Sequence, residues 1–287
     1  MKKNTKSIIA ILFWSVVVTA LMTSCRVSKE EKGFGIQLWS VRDAMNENPA
    51  TTLKALGEMG YGFIEAAGYS NGKFYGMEPL AFRNLVEEHG MVFLSSHAGH
   101  DLPSAENLDS VMAWWDKCIE AHAAAGVKYI VQAWMGPAGF ESLEKLKAFC
   151  DYFNAVGEKC NAKGIKFGFH NHAEEFNTID GQVVFDFMLK NTDPEKVFFQ
   201  IDLYWAFVGK ADPVDYFERF PGRFILWHVK DETEVGASGK IDFERIYNYA
   251  HTAGLKHSIV EVENYNFEPL ESARISLDFL KNSRFAK

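Results

Sequence analysis

From Phe34 onward the chain repeats one pattern eight times: a short apolar run, then a longer amphipathic one. The short runs are "FGIQLWS", "YGFIEAAG", "MVFLSSHAGH", "KYIVQAWMG", "IKFGFHNHA", "VFFQIDLYW", "FILWHVKD" and "HSIVEVENY". Rich in β-branched and aromatic residues and too short for stable helices, they read as buried strands. The longer runs, such as "NPATTLKALGEMG", "SVMAWWDKCIEAHAAAG" and "EPLESARISLDFLKN", carry helical periodicity. Several close on a glycine, the usual C-terminal stop of a helix. Strand–helix units in one uninterrupted series predict an α/β fold, a (β/α)8 TIM barrel, over residues 34–287. A doubly wound open sheet is the competing architecture.

The placement of polar residues separates the two. A barrel gathers them at the C-terminal end of nearly every strand, whereas an open sheet concentrates them near one switch point. Here they fall at Gln37 with Trp39, Glu65, His97 with His100, Gln132, His170 with His172, Asp202, His228 with Lys230, and Glu261 with Glu263. No "GxGxxG" or "GxxxxGK[ST]" motif calls for a nucleotide.

Residues at i and i+2 of a strand share a face. His170 and His172 therefore point together, as do His228 and Lys230, and Glu261 and Glu263. Facing the apolar helix layer would leave these groups without partners, so they are expected to face the barrel mouth. That arrangement brings His170, Asp202, His228 and Glu261 together from four consecutive strands. Two imidazoles and two carboxylates suit Mn²⁺, Co²⁺, Fe²⁺ or Zn²⁺ better than Ca²⁺, which prefers oxygen alone. Each residue also has a structural reading: Asp202 can cap the following turn, and Glu261 or Glu263 can pair with Lys230. His172 and Lys230 are expected to act as acid/base groups or to bind a substrate. Glu65, His97 and Gln132 are placed to hydrogen-bond a ligand at the mouth, and Trp39, Trp134 and Trp205 either stack on it or pack. His89, His122, His251 and His257 are expected on the surface.

The first residues do not read as part of the barrel. Lys2, Lys3 and Lys6 precede the apolar run "SIIAILFWSVVVTALM", the pattern of an export signal. Its ending, "LMTSC", resembles the lipobox of bacterial lipoproteins. The resemblance implies a signal peptide over 1–24, lipidation of Cys25 and a polar tether over 25–33, with the domain anchored on the periplasmic or cell-surface face. The alternatives are a secretory signal with an incidental cysteine, or an uncleaved anchor. Without Lys2, Lys3 and Lys6, 27 basic residues face 38 acidic ones, a net charge of about −11. That sign repels phosphate backbones and argues against a nucleic-acid partner. Cys118, Cys150 and Cys160 remain, an odd number without CxxC spacing. They are expected to be buried thiols, with a Cys150–Cys160 disulfide as a lesser alternative.

Several of these segments resemble the sugar phosphate isomerase/epimerase family, the xylose isomerase-like barrels. "GIQLWSVRD" resembles the family's first strand, "GFHNHAEEF" the "YHNHxxEF" fifth strand of one subgroup, and "QIDLYW", "WHVKD" and "IVEVENY" strands six to eight. The resemblance spans roughly Phe34 to Leu280. It implies a divalent metal, Mn²⁺ foremost, held by residues from strands five to eight. Three of the family's ligands carry over to Asp202, His228 and Glu261, but His170 stands where the epimerases have a glutamate. Those enzymes use two metal-binding glutamates as an acid/base pair, so Glu261 lacks its usual mate here. Glu175 is a substitute ligand or base within the subgroup motif. An imidazole at the fifth strand is closer to inosose dehydratase-type members, which eliminate water next to a carbonyl.

The resemblance thus implies a metal-dependent enzyme that removes a proton next to the carbonyl of a sugar, a keto-sugar or a 3-keto-glycoside. The product is an isomer, an epimer or an elimination product. Glu261, His172 and Lys230 are the expected catalytic groups, and Trp39, Glu65, His97, Gln132, Glu175 and Glu263 the substrate contacts. A non-catalytic sugar-binding lipoprotein on the same barrel is the alternative. An endonuclease would need a basic groove, which the charge disfavours.

Overall fold

The structure, a computed structural model, describes residues 33–286. The expected signal peptide and Cys25 lie outside the described residues. Eight parallel strands close into a barrel: β1 (Gly35–Gln37), β2 (Phe63–Ala66), β3 (Val92–His97), β4 (Tyr129–Gln132), β5 (Lys166–His170), β6 (Val197–Asp202), β7 (Leu226–Val229) and β8 (His257–Val260). Each strand lies inside its sequence segment, and β1 closes the ring by pairing with both β2 and β8. The open-sheet alternative is thereby excluded.

The helices follow from their end signals. Asn48 caps the helix Pro49–Met59 by accepting from the Thr51 N–H, with proline at the first turn. Gly60 and Gly126, at φ +94° and +72°, end that helix and Leu108–Ala125 in the left-handed conformation that other residues adopt at a cost. Ser142 and Asp242 cap Leu143–Asn161 and Phe243–Tyr247 in the same way. Two features depart from the sequence reading. Short hairpins occur at Tyr69–Phe74 and Thr178–Val183, so the fifth-unit helix begins only at Val184. In the sixth unit the chain turns helical immediately after Asp202, over Leu203–Val208, where the sequence read as strand.

The barrel interior is layered. Its floor is Phe63, Leu94, Val131, Phe198, Leu226 and Ile259. Two strands supply glycine there: a Cβ on Gly35 would lie 2.1 Å from the Phe63 ring, and one on Gly168 would lie 2.5 Å from the Phe198 ring. The larger core fills the space between strands and helices, with Phe153, Phe167, Phe169 and Phe199 fully buried. Each such ring contributes about 1.5–3 kcal/mol. On β6 the alternation is plain: Val197, Phe199 and Ile201 join this outer core, while Phe198, Gln200 and Asp202 face inward.

Cys118, Cys150 and Cys160 are buried free thiols, so the Cys150–Cys160 disulfide does not form. Two of the histidines expected at the surface are not there. His122 is fully buried, its Nδ1 2.7 Å from the Cys118 carbonyl and its ring between Tyr69 and Phe74. His257 opens β8, half-buried with its ring against Phe63 and Tyr129. Both errors come from a helix or strand face that turns inward. His251 is exposed as expected, and His89 is half-buried.

Candidate metal centre

Above the apolar floor lies a polar layer centred on Glu65, which is fully buried. Oε1 of Glu65 accepts from Gln37 Nε2 at 2.9 Å and stands 2.6 Å from His228 Nε2 and 3.0 Å from His97 Nε2. Its Oε2 accepts from Ser95 Oγ at 2.5 Å and Gln200 Nε2 at 2.8 Å. Burial alone would push this carboxyl up. The His97 and His228 imidazoles outweigh it and hold Glu65 well below the usual range. Gln200 was not anticipated, although it precedes Asp202 by two residues and so shares its inward face. Because its amide nitrogen donates to Glu65, its oxygen faces His170 Nδ1 at 3.2 Å and His97 Nε2 at 2.9 Å. The His170 proton therefore belongs on Nδ1, which leaves Nε2 as a lone pair.

That lone pair points into the next layer, where the four residues expected as ligands do converge. His170, Asp202, His228 and Glu261 are all buried, and one ligand atom from each lies within 4.8 Å of the others. His170 Nε2 is 3.9 Å from Asp202 Oδ2. His228 Nδ1 is 3.1 Å from Glu261 Oε2. The structural reading of Asp202 holds, and the residue also stands in the cluster. Its Oδ1 caps the helix after β6 by accepting from the Trp205 N–H at 2.8 Å, while Oδ2 is buried with no hydrogen-bond partner. A buried carboxylate oxygen without a hydrogen bond is costly unless cations meet it; Lys230 Nζ, 3.8 Å away, is one, and a metal ion would be a second. Asn171, the residue between the two histidines of the β5 motif, accepts from the Asp202 N–H at 3.1 Å and so ties the ends of β5 and β6 together.

The electrostatics fit the same picture. Burial first, then the neighbouring imidazoles, lower His170, so it is neutral and fit to ligate. For His228 burial is again the largest influence and lowers it, but Glu261 and Glu65 together raise it to about 10, so an ion at Nδ1 must displace the proton held there. Burial raises Asp202 to about 7. Glu261 is driven the other way: Lys230 and His228 overcome its burial and keep it ionised. The donor set of two imidazoles and two carboxylates, with one orphaned oxygen, fits a borderline divalent cation. His228, held on its far nitrogen by Glu65, shows the carboxylate–histidine arrangement that orients metal ligands.

Lys230 Nζ lies 3.2 Å from Glu261 Oε2 and 3.8 Å from Asp202 Oδ2, and it also donates to Glu263. It sits 4.8 Å from the centre of the Trp205 ring, a cation–π contact that makes Trp205 a wall for the lysine. A cavity of about 400 Å³ opens above the cluster, lined by Trp39, Trp134, His170, His172, Glu261 and Glu263 among others. His172 Nδ1 is buried without a protein partner, and burial followed by Lys230 lowers the ring's pKa.

Three expected substrate contacts lie elsewhere. Glu65 is under the cluster, saturated by five partners. Glu175 is fully buried with Oε2 accepting from the His172 N–H at 2.7 Å, so it positions His172 and is not one of the four converging ligands. The Gln132 amide is engaged with backbone, donating to the His100 and Trp134 carbonyls at 3.0 and 2.8 Å. Trp39, His97 and Glu263 do line the cavity or its rim.

Comparison with known proteins agrees with the barrel fold. Residues 53–283 match the family model described as the xylose isomerase-like TIM barrel. A sugar phosphate isomerase/epimerase from Parabacteroides distasonis is 31% identical, with a TM-score of 0.84 over 89% of this chain and 100% of that one. An inosose dehydratase from Geobacillus kaustophilus is 22% identical over 193 residues, 62% of this chain, which spans only 60% of that relative's length. The IOLI protein, solved with a zinc atom bound, shares the fold at 13% identity and a TM-score of 0.67, over 86% of this chain and 96% of that one. The chain therefore belongs to the xylose isomerase-like TIM barrel family, which includes the sugar phosphate isomerase/epimerases.

Proposed function

We propose that the protein is a divalent-metal-dependent enzyme that removes a proton next to the carbonyl of a sugar or keto-sugar, 3-keto-glycosides included, and completes the reaction by elimination. The observation that carries this reading is the convergence of His170, Asp202, His228 and Glu261, with the orphaned Asp202 Oδ2 among them. His170 Nε2, Asp202 Oδ2, His228 Nδ1 and Glu261 would hold the ion, Mn²⁺ foremost. When bound, it polarises the substrate carbonyl and acidifies the adjacent C–H.

The remaining work falls to side chains. Glu261 is kept ionised and accepts a proton from the carbon. Lys230, beside Glu261 and Glu263, donates hydrogen bonds to oxygens of the substrate. The departing group leaves with the proton that Glu261 has taken, and His172, on the same face as His170 and lining the same cavity, hydrogen-bonds it as it leaves. A second glutamate flanking the metal, which would return the proton to the opposite side of the carbon, is absent because His170 occupies that place. This favours elimination over epimerisation. Relatives described as an inosose dehydratase and as a probable 3-DHS dehydratase lend support to that reaction class. Export and lipid anchoring at Cys25 belong to the same proposal, since they place the enzyme among unphosphorylated sugars.

Asp202→Asn tests the reading. The variant should fold with an unchanged circular-dichroism spectrum, lose bound divalent metal by elemental analysis and lose turnover. Full turnover in Asp202→Asn would overturn the assignment.

A further inference from the structure

A second cavity of about 480 Å³ adjoins the first, and no role has yet been given to it. Its walls are Tyr69, Gly99, His100, Asp101, Gln132 and Trp134, and it shares His97, Ala133 and Trp134 with the cavity over the metal cluster. Each chamber separately falls within the roughly 300–1,000 Å³ of small-molecule sites. We propose that this outer chamber is a binding subsite for a second, uncharged sugar unit, so that the substrate is a two-unit glycoside whose reacting ring sits over the cluster.

The wall between the chambers is built. Gln132 donates to the His100 carbonyl at 3.0 Å and to the Trp134 carbonyl at 2.8 Å, and its Oε1 accepts from the His100 N–H at 3.4 Å. One buried amide thus locks the loop after β3 to the loop after β4. Gly99 permits the approach, since a Cβ there would lie 2.7 Å from Gln132 Cγ. At the boundary stands Trp134. Its ring packs edge-on to His172 at 6.2 Å, yet half of the residue (50%) is exposed. An indole left half in water at the junction of two cavities is a platform for the apolar face of a sugar ring. The far wall is also aromatic: His100 packs on Trp114 at 5.4 Å and Tyr69 on Trp114 at 5.9 Å.

The polar groups define the class of occupant. Asp101 brings an acceptor carboxylate to the outer chamber, and no lysine or arginine is among the residues that line it. A phosphate or carboxylate would meet repulsion there, while hydroxyl pairs would find an acceptor flanked by aromatic faces. This inference rests on the sugar chemistry proposed above but is separable from it, because it concerns binding and not turnover.

The test is equilibrium binding of glucose, maltose, cellobiose and trehalose to the whole protein by calorimetry. At least one disaccharide should bind about tenfold or more tightly than glucose, and Asp101→Ala should remove most of that margin while leaving glucose affinity unchanged. Asp101 is exposed in a loop, so the variant should keep the wild-type melting temperature. His100→Ala provides a second, independent variant with the same expected outcome. The proposal is overturned if no disaccharide outbinds glucose, or if both variants leave the margin intact. A disaccharide preference without any turnover would sink the chemistry and keep the subsite; turnover without the preference would do the reverse.

Discussion

Replacing Glu65 by glutamine keeps its shape but exchanges one acceptor for a donor. Oε1 faces three donors or imidazole nitrogens, whereas Oε2 faces only Ser95 and Gln200, so the new amide nitrogen will settle on the Oε2 side. The Ser95 hydroxyl can rotate to accept. Gln200 cannot, because its own nitrogen points there, and it must flip. Its nitrogen then faces His170 Nδ1, the His170 proton moves to Nε2, and the lone pair aimed at the cluster is lost. His228 meanwhile loses the carboxylate that holds its far side. Breaking a buried charged pair costs about 3–5 kcal/mol, and loss of the groups that orient metal ligands weakens affinity about 10–100-fold. For a domain of this size the melting temperature should fall by about 10 °C. Glu65→Gln should therefore bind Mn²⁺ or Zn²⁺ more weakly in a chelator competition and melt earlier. The Gln200→Glu change in the same background should not restore affinity. Wild-type metal affinity in Glu65→Gln would refute the relay through Gln200 and His228.

Gly157→Ala should destabilise the barrel by about 1–3 kcal/mol, read as a shift of the urea midpoint, because the new Cβ would lie 2.2 Å from the Lys196 carbonyl oxygen and backbone cannot step aside. Glu234 joins the loop after β7 to the loop and helix after β8, accepting from Ser272 Oγ at 2.6 Å and the Asn266 N–H at 2.9 Å. Burial alone would raise its pKa, but these hydrogen bonds prevail and bring it down to about 2. A carboxyl depressed in the folded state contributes stability above its unfolded pKa and loses it as pH falls toward the folded one. Wild type should therefore lose on the order of 2 kcal/mol from this group between about pH 4.5 and pH 2, and Glu234→Gln should show a correspondingly flatter acid limb in denaturant titrations. Cys118, Cys150 and Cys160, all fully buried, should resist a thiol reagent in the native protein and react together in denaturant.

Most of the barrel was legible because polar residues gather at or beside the strand ends and several long helices carry a capping residue or a terminal glycine. The inward face of Gln37, Glu65 and Asp202 was legible too, through strand alternation. Depth was not. The tilt and stagger of barrel strands decide which inward residue reaches the mouth, and one step of the side-chain repeat is about 7 Å. Glu65 therefore looked like a substrate contact and lies instead beneath the cluster, while Gln200 went unnoticed between two apolar neighbours. Gln132 was placed at the correct end of its strand, but its partners are backbone groups of two loops, and Glu175 accepts from the His172 N–H three residues back; no residue pattern announces either. The hairpins at Tyr69–Phe74 and Thr178–Val183 were missed because strands of two residues carry no periodicity. Asp202 shows the opposite case: Oδ1 makes the expected cap, while Oδ2 lies in the cluster without a hydrogen bond.

The central claim is that this cluster removes a proton next to a carbonyl with the help of a divalent ion. Incubation of the Mn²⁺-loaded protein with keto-sugars and 3-keto-glycosides in D₂O, followed by NMR, tests it most directly. The account predicts loss of water or of the second sugar unit, abolished by chelator and by Asp202→Asn; deuterium at the carbon next to the carbonyl with the skeleton retained would mean isomerisation or epimerisation instead. Metal-loaded protein that leaves every such substrate undeuterated and intact would contradict it.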